Sequence, residues 1–97
     1  MSIGTFAFSK IKLQKQAQGL YLVMKGEVEN NSGKSYHAVV FRAIIFIKNI
    51  AIGNITFIIN GFNNGQTREF EAQVGELQFD KVIRDVSRYE IYAENAY

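Results

Sequence analysis

A chain of ninety-seven residues, 47% of them hydrophobic, is long enough for one modest core and too apolar for disorder, so residues 1–97 read as a single domain. The formal net charge of +2 is far from the concentrated basic patch of a nucleic-acid binder. The absence of cysteine removes disulfides, thiolate nucleophiles, iron–sulfur clusters and cysteine-ligated zinc.

β-branched and aromatic residues dominate, and turn residues interrupt them at intervals of roughly ten, the spacing of a sandwich or barrel. The first strand is expected over Thr5 to Leu13. Phe6 and Phe8 share one face, Ile11 and Leu13 share the other, and the parity slips near Ser9 and Lys10, as a β-bulge would allow. Gln14 to Gly19 is a polar turn. In the second strand, Leu20 to Glu29, the set Leu20, Leu22, Met24, Gly26 and Val28 is expected to face the core.

Asn30 to Lys34 forms the clearest turn, because Asn and Gly tolerate positive φ and short polar side chains bond the local backbone. A long strand follows from Ser35 to Lys48. Its odd positions, His37 to Ile47, are expected inside. Val40, Ile44 and Phe46 then face outward, which marks them as a candidate partner-binding surface. Lys48-Asn49 turns the chain into a strand at Ile52 to Ile59. Asn60-Gly61 and Asn63-Asn64-Gly65 form a loop, and Gln66 to Val74 is the next strand. Asp80 to Asp85 is read as a helical turn bridging two sheets. Arg88 to Asn95 closes the domain, with Tyr92 among its tyrosines as a further candidate contact residue.

The apolar run from Ala43 to Ile59 is broken by Lys48, Asn49, Gly53 and Asn54, so two strands and a turn account for it better than a membrane span. The opening residues from Met1 to Thr5 carry neither the basic nor the apolar block of a signal peptide.

Catalytic chemistry is hard to assemble from these residues. His37 is the sole histidine and reads as a strand-end residue. Ser32 and Ser35 lie near it in sequence, but no third group completes a nucleophilic set. Asp80, Asp85, Glu90 and Glu94 lack calcium-loop spacing. Asn63 to Thr67 lacks the lysine and glycine pattern of a phosphate cradle. No cofactor or metal is therefore expected, and the chain is read as a non-enzyme. Asn30-Asn31-Ser32 and Asn54-Ile55-Thr56 match the glycosylation sequon, a pattern common by chance. Lys10, Lys12 and Lys15 form a basic stripe beside Tyr21. An OB-like barrel binding single-stranded nucleic acid is the runner-up reading on that account, weighed below edge lysines that block aggregation.

Gly26-Glu27-Val28-Glu29-Asn30 with Ser32-Gly33-Lys34 resembles the opening of FxLYD-type domains of bacteria and archaea. Phe41 to Phe46 resembles their central strand, Ile52-Gly53 their isoleucine–glycine step, and Gly65-Gln66-Thr67 with Phe70 their following turn and strand. The name-giving motif reads Ile45-Phe46-Ile47, and Asn64 stands where a proline is common. The resemblance covers about half the chain. It implies an immunoglobulin-like antiparallel β-sandwich of about seven strands, acting as a non-catalytic interaction or spacer domain in an exported or envelope-associated protein. Its partner would be a protein or glycan. Self-association through exposed edge strands is a third expectation.

Overall fold

The computed structural model describes residues 5–97; residues 1–4, on which the reading of a missing leader partly rests, lie outside the described residues. The fold is an all-β sandwich. Its strands are β1 (Phe6–Lys15), β2 (Tyr21–Asn30), β3 (Tyr36–Ile47), β4 (Ile50–Phe62), β5 (Thr67–Gln78) and β6 (Val86–Ala96), with one helical turn, α1 (Phe79–Val82), before β6. Among the described residues these make six strands, in line with the expected number of about seven. They form two three-stranded antiparallel sheets, sheet A in the order β1-β2-β5 and sheet B in the order β4-β3-β6. This is a pair of sheets rather than one closed five-stranded barrel.

Alternation decides which side chains meet between the sheets. In β3 the buried set is Val39, Phe41, Ala43 and Ile45, all fully enclosed, while the even positions between them face outward. His37, expected on the inner side, is exposed at the start of the strand, where burial has not begun. From sheet A come Leu22, Met24, Val28, Phe70 and Val74. Leu20 was expected among them but precedes β2 and lies exposed in the turn.

A group of phenylalanines fills the centre. Phe41 stacks on Phe57 at 5.3 Å and meets Phe6 and Phe8 edge-on, while Phe57 stacks on Phe70 at 4.5 Å. Such pairs add to simple area burial because ring edges and faces carry opposite partial charge. Gly53 of β4 lets the two sheets close up: a methyl group there would lie 2.6 Å from Val74 and 2.7 Å from Leu77.

The bulge foreseen in β1 is present. The register with β2 shifts between Ser9 and Lys12, and Lys10 takes a positive φ of 55°. One extra residue restores the parity, so Phe6, Phe8, Ile11 and Leu13 all pack on the core. Gly75, with φ of 54°, lies inside β5, which runs past the expected end at Val74 to Gln78.

Asn30 ties one end of the sandwich together. It is the one buried polar residue among those described, and its amide donates to the carbonyls of Lys34 (2.8 Å) and Phe62 (3.1 Å). Its side-chain oxygen accepts from the Ser32 amide and hydroxyl. Every polar atom of the group is thus paired, which is the condition for burying it at little cost. A fully enclosed side chain so engaged offers no acceptor for a glycan in the folded protein. Asn54, the other sequon asparagine, lies within β4.

Candidate functional site

The residues singled out as a partner surface converge on one face. Val40, Ile44 and Phe46 occupy the outward side of β3, the central strand of sheet B, and are half-buried. Tyr92 of β6 pairs across from Arg42 on the same side and is 43% exposed. Ile58 of β4 pairs with Val40 and is 58% exposed. The sequence reading missed Ile58; the pairing of β4 with β3 was the signal that places it, and a single strand does not reveal its register with a neighbour.

This apolar stripe is crossed at its middle by one ionic group. The Arg42 guanidinium donates through Nη2 to Glu94 Oε1 (2.9 Å), through Nε to Glu94 Oε2 (3.2 Å), and through Nη1 to Asn54 Oδ1. Arg42 thereby links all three strands of sheet B across its outer face. The fork geometry fixes both the arginine and the glutamate. The Glu94 hydrogen bond holds the guanidinium above its ordinary pKa; desolvation opposes this, and the nearby charge of Glu94 adds to it. Arg88 lies over the Phe46 ring at 3.8 Å and pairs with Glu90. The face is therefore an apolar row, Val40 with Ile58 at one end and Ile44 with Phe46 at the other, separated by the Arg42 bridge with Tyr92 beside it.

The outer face of sheet A is different in kind. Lys10 lies 3.5 Å from Glu27, Lys25 lies 3.6 Å from Glu71, and Lys15 reaches Asp80 at 3.1 Å. A groove of about 530 Å³ beside the bulge is lined by Lys10, Lys12 and Lys25 but also by Glu27, Glu69 and Glu71. The groove thus carries three lysines and three glutamates rather than a run of one sign. The stripe of Lys10, Lys12 and Lys15 that suggested nucleic acid is thus interleaved with acids contributed by β2, β5 and α1.

Val23 is a second departure from simple alternation. It sits on the outward side of β2 yet is only 4% exposed. Its cross-strand neighbours are Gln14 and Gln73, and Gln16, just after β1, donates through Nε2 to Gln73 Oε1 of β5 at 3.2 Å. Long amide side chains roof the valine.

The remaining chemical candidates do not assemble. His37 lies at the exposed start of β3, its backbone N–H donating to the Tyr97 carbonyl. Ser32 is committed to Asn30, and the Ser35 hydroxyl accepts from the Asn64 amide. Asp80, Glu90 and Glu94 each engage a different basic residue, and among the described residues no three metal-ligating side chains gather. No helix among the described residues is long and apolar enough to cross a membrane. Comparison with protein-family models, with curated proteins and with solved structures found no match to this chain.

Proposed function

We propose that this chain is a non-catalytic interaction or spacer domain of immunoglobulin-like, FxLYD type, carried by a surface or envelope-associated protein, and that it recognises a protein or glycan partner through the outward face of sheet B. The observation that carries the reading is the row Val40, Ile44 and Phe46, flanked by the exposed Ile58 and Tyr92. Apolar side chains on the outside of a central strand are kept out of water most economically by a partner, and aromatic residues beside a fixed arginine are the composition of recognition surfaces.

The strand order supports the immunoglobulin-like part. Sheet A runs first–second–fifth and sheet B runs fourth–third–sixth. That is the arrangement of strands A, B and E opposite C′, C and F in such sandwiches. The positions that carry the resemblance also have structural work to do: Gly26 leaves room for Ile11 and Phe70, and Gly65 adopts a φ of 83°. The envelope location rests on the resemblance alone.

The test is site-specific photo-crosslinking in the cells that make the protein. A photoreactive residue replacing Ile58 is expected to give a discrete covalent adduct, which Ile44→Lys abolishes without unfolding the domain. The same group replacing Glu71 on sheet A is expected to give none. Adducts from Glu71 but not Ile58, or an adduct insensitive to Ile44→Lys, would contradict the proposal.

A further inference from the structure

Four strands form the edges of the two sheets, and three of them are guarded. β1 carries Lys10, Lys12 and Lys15 and is broken by its bulge at a left-handed Lys10. β4 and β5 pack against each other at Gly53, Val74 and Leu77, and each contains a glycine at positive φ, Gly61 and Gly75. Lysines, bulges and kinks are the usual means of keeping an edge from pairing. β6 has none of them between Arg88 and Ala93; its irregularities, register shifts against β3 at Ser87 and Glu94, fall outside that run. It contains no glycine or lysine, and its register with β3 is unbroken from Phe46↔Arg88 to Phe41↔Ala93.

The inner side of this edge is also incompletely covered. Tyr89, Ile91 and Ala93 pair with the fully buried Ile45, Ala43 and Phe41, so they face the core. Tyr89 is nevertheless 40% exposed, and Ile91 and Ala93 are only half-buried. A row of core-facing residues reaching water along a backbone edge with no strand partner among the described residues is the state of a sheet awaiting one more strand.

The sequence of β6 is complementary to itself read backwards. A two-fold axis at Ile91 sets Arg88 against the second copy's Glu94, Tyr89 against its Ala93, and Glu90 against its Tyr92. The regular run from Arg88 to Ala93 then pairs in full, with Glu94 opposite Arg88 at each end. Arg88 and Glu94 both lie on the outward side; within one molecule Arg88 pairs with Glu90 and Glu94 with Arg42, so contact across the new pair would join these two ion pairs into one network. Other centres fail. An axis at Glu90 opposes two copies of Glu90, and one at Tyr92 opposes Glu90 to Glu94. An axis at Tyr89 pairs only Val86 to Tyr92. An axis between residues would set inward side chains against outward ones.

We infer that a second copy of this chain docks antiparallel along β6, centred on Ile91, joining two copies of sheet B into one continuous six-stranded sheet with the order β4-β3-β6-β6-β3-β4. The symmetry is the isologous two-fold of most homodimers, and each contact off the axis is made twice. The inference does not depend on the partner-binding role of the outward face, because it rests on the backbone of β6 and on Arg88 and Glu94 at the margin of that face and does not use Val40, Ile44 or Ile58.

Charge reversal by heterologous mixing tests it. In Arg88→Glu alone, glutamates face each other at both ends of the new pair; in Glu94→Arg alone, arginines do. Each single variant is expected to weaken self-association about tenfold. A mixture of the two restores complementary charges at both ends, so sedimentation equilibrium should recover the wild-type mass distribution as a heterodimer. A structural effect of either substitution within one molecule would not be repaired by mixing. Because the chain has no cysteine, Ile91→Cys gives an independent readout: it should form a disulfide dimer under mild oxidation, whereas Tyr89→Cys should not. A monomeric mass for the wild-type chain up to several hundred micromolar, mixtures that do not recover, or cross-linking at Tyr89→Cys instead of Ile91→Cys would each overturn the inference.

Discussion

The two sheets obey the same alternation and share one core, yet they present opposite exteriors. On sheet A two of the three groove lysines, Lys10 and Lys25, lie beside a glutamate, and the outward Val23 is buried between glutamines. On sheet B the outward residues of the central strand are Val40, Ile44 and Phe46, with a single arginine bridge between them. Sheet A has satisfied its surface with its own side chains. Sheet B leaves apolar area that water covers poorly, both on its face and along the β6 edge. The lesson is that charge count and hydropathy averaged over the chain conceal surface character when two faces of opposite kind compensate. A net charge of +2 describes neither face.

The comparison assumes a common interior, and the largest expected effect tests that assumption. Phe41 contacts aromatic rings from β1 and β4 and is fully buried at the middle of β3. Phe41→Ala should destabilise the fold by about 3–5 kcal/mol in a urea titration, from lost transfer energy plus the cavity left behind. A cost below about 1 kcal/mol would mean that the ring is not the hinge of the core. A smaller effect sharpens the contrast between the exteriors. Val23 and Val40 both point outward, but only Val23 is roofed. Val23→Ala should cost about 2 kcal/mol and Val40→Ala about half as much. Equal costs, read from the same titrations, would mean that the glutamine cover over sheet A excludes no water.

Much of this was legible in the sequence where the cause is local. The parity slip in β1 foretold the bulge at Lys10, because a strand with a fixed inner face must absorb an extra residue somewhere. The inward set of β3 from Val39 to Ile45 followed from alternation, and so did the outward placement of Val40, Ile44 and Phe46. What escaped depends on residues far apart in the chain. Asn30 looked like an ordinary turn residue, since its partner Phe62 lies 32 positions away. The lysine stripe looked basic because Glu27 and Asp80 reach it only after folding. Val23 looked exposed because its roof comes from β1 and β5. Ile58 and the Arg42–Glu94 bridge required the registers of β4 and β6 against β3, which alternation alone leaves open. The self-complementary pattern of β6 was readable in the chain, but it acquired meaning only once β6 was seen to be an edge.

The central claim is that association belongs to sheet B and that sheet A is a finished surface. Amide and methyl chemical shifts followed from dilute to concentrated solution test it most directly. The account predicts concentration-dependent movement confined to Arg88 through Glu94 and to their neighbours on β3, with β1, β2 and β5 unchanged. Shifts centred on Lys10, Lys25 and Glu71, or no movement anywhere over that range, would contradict it.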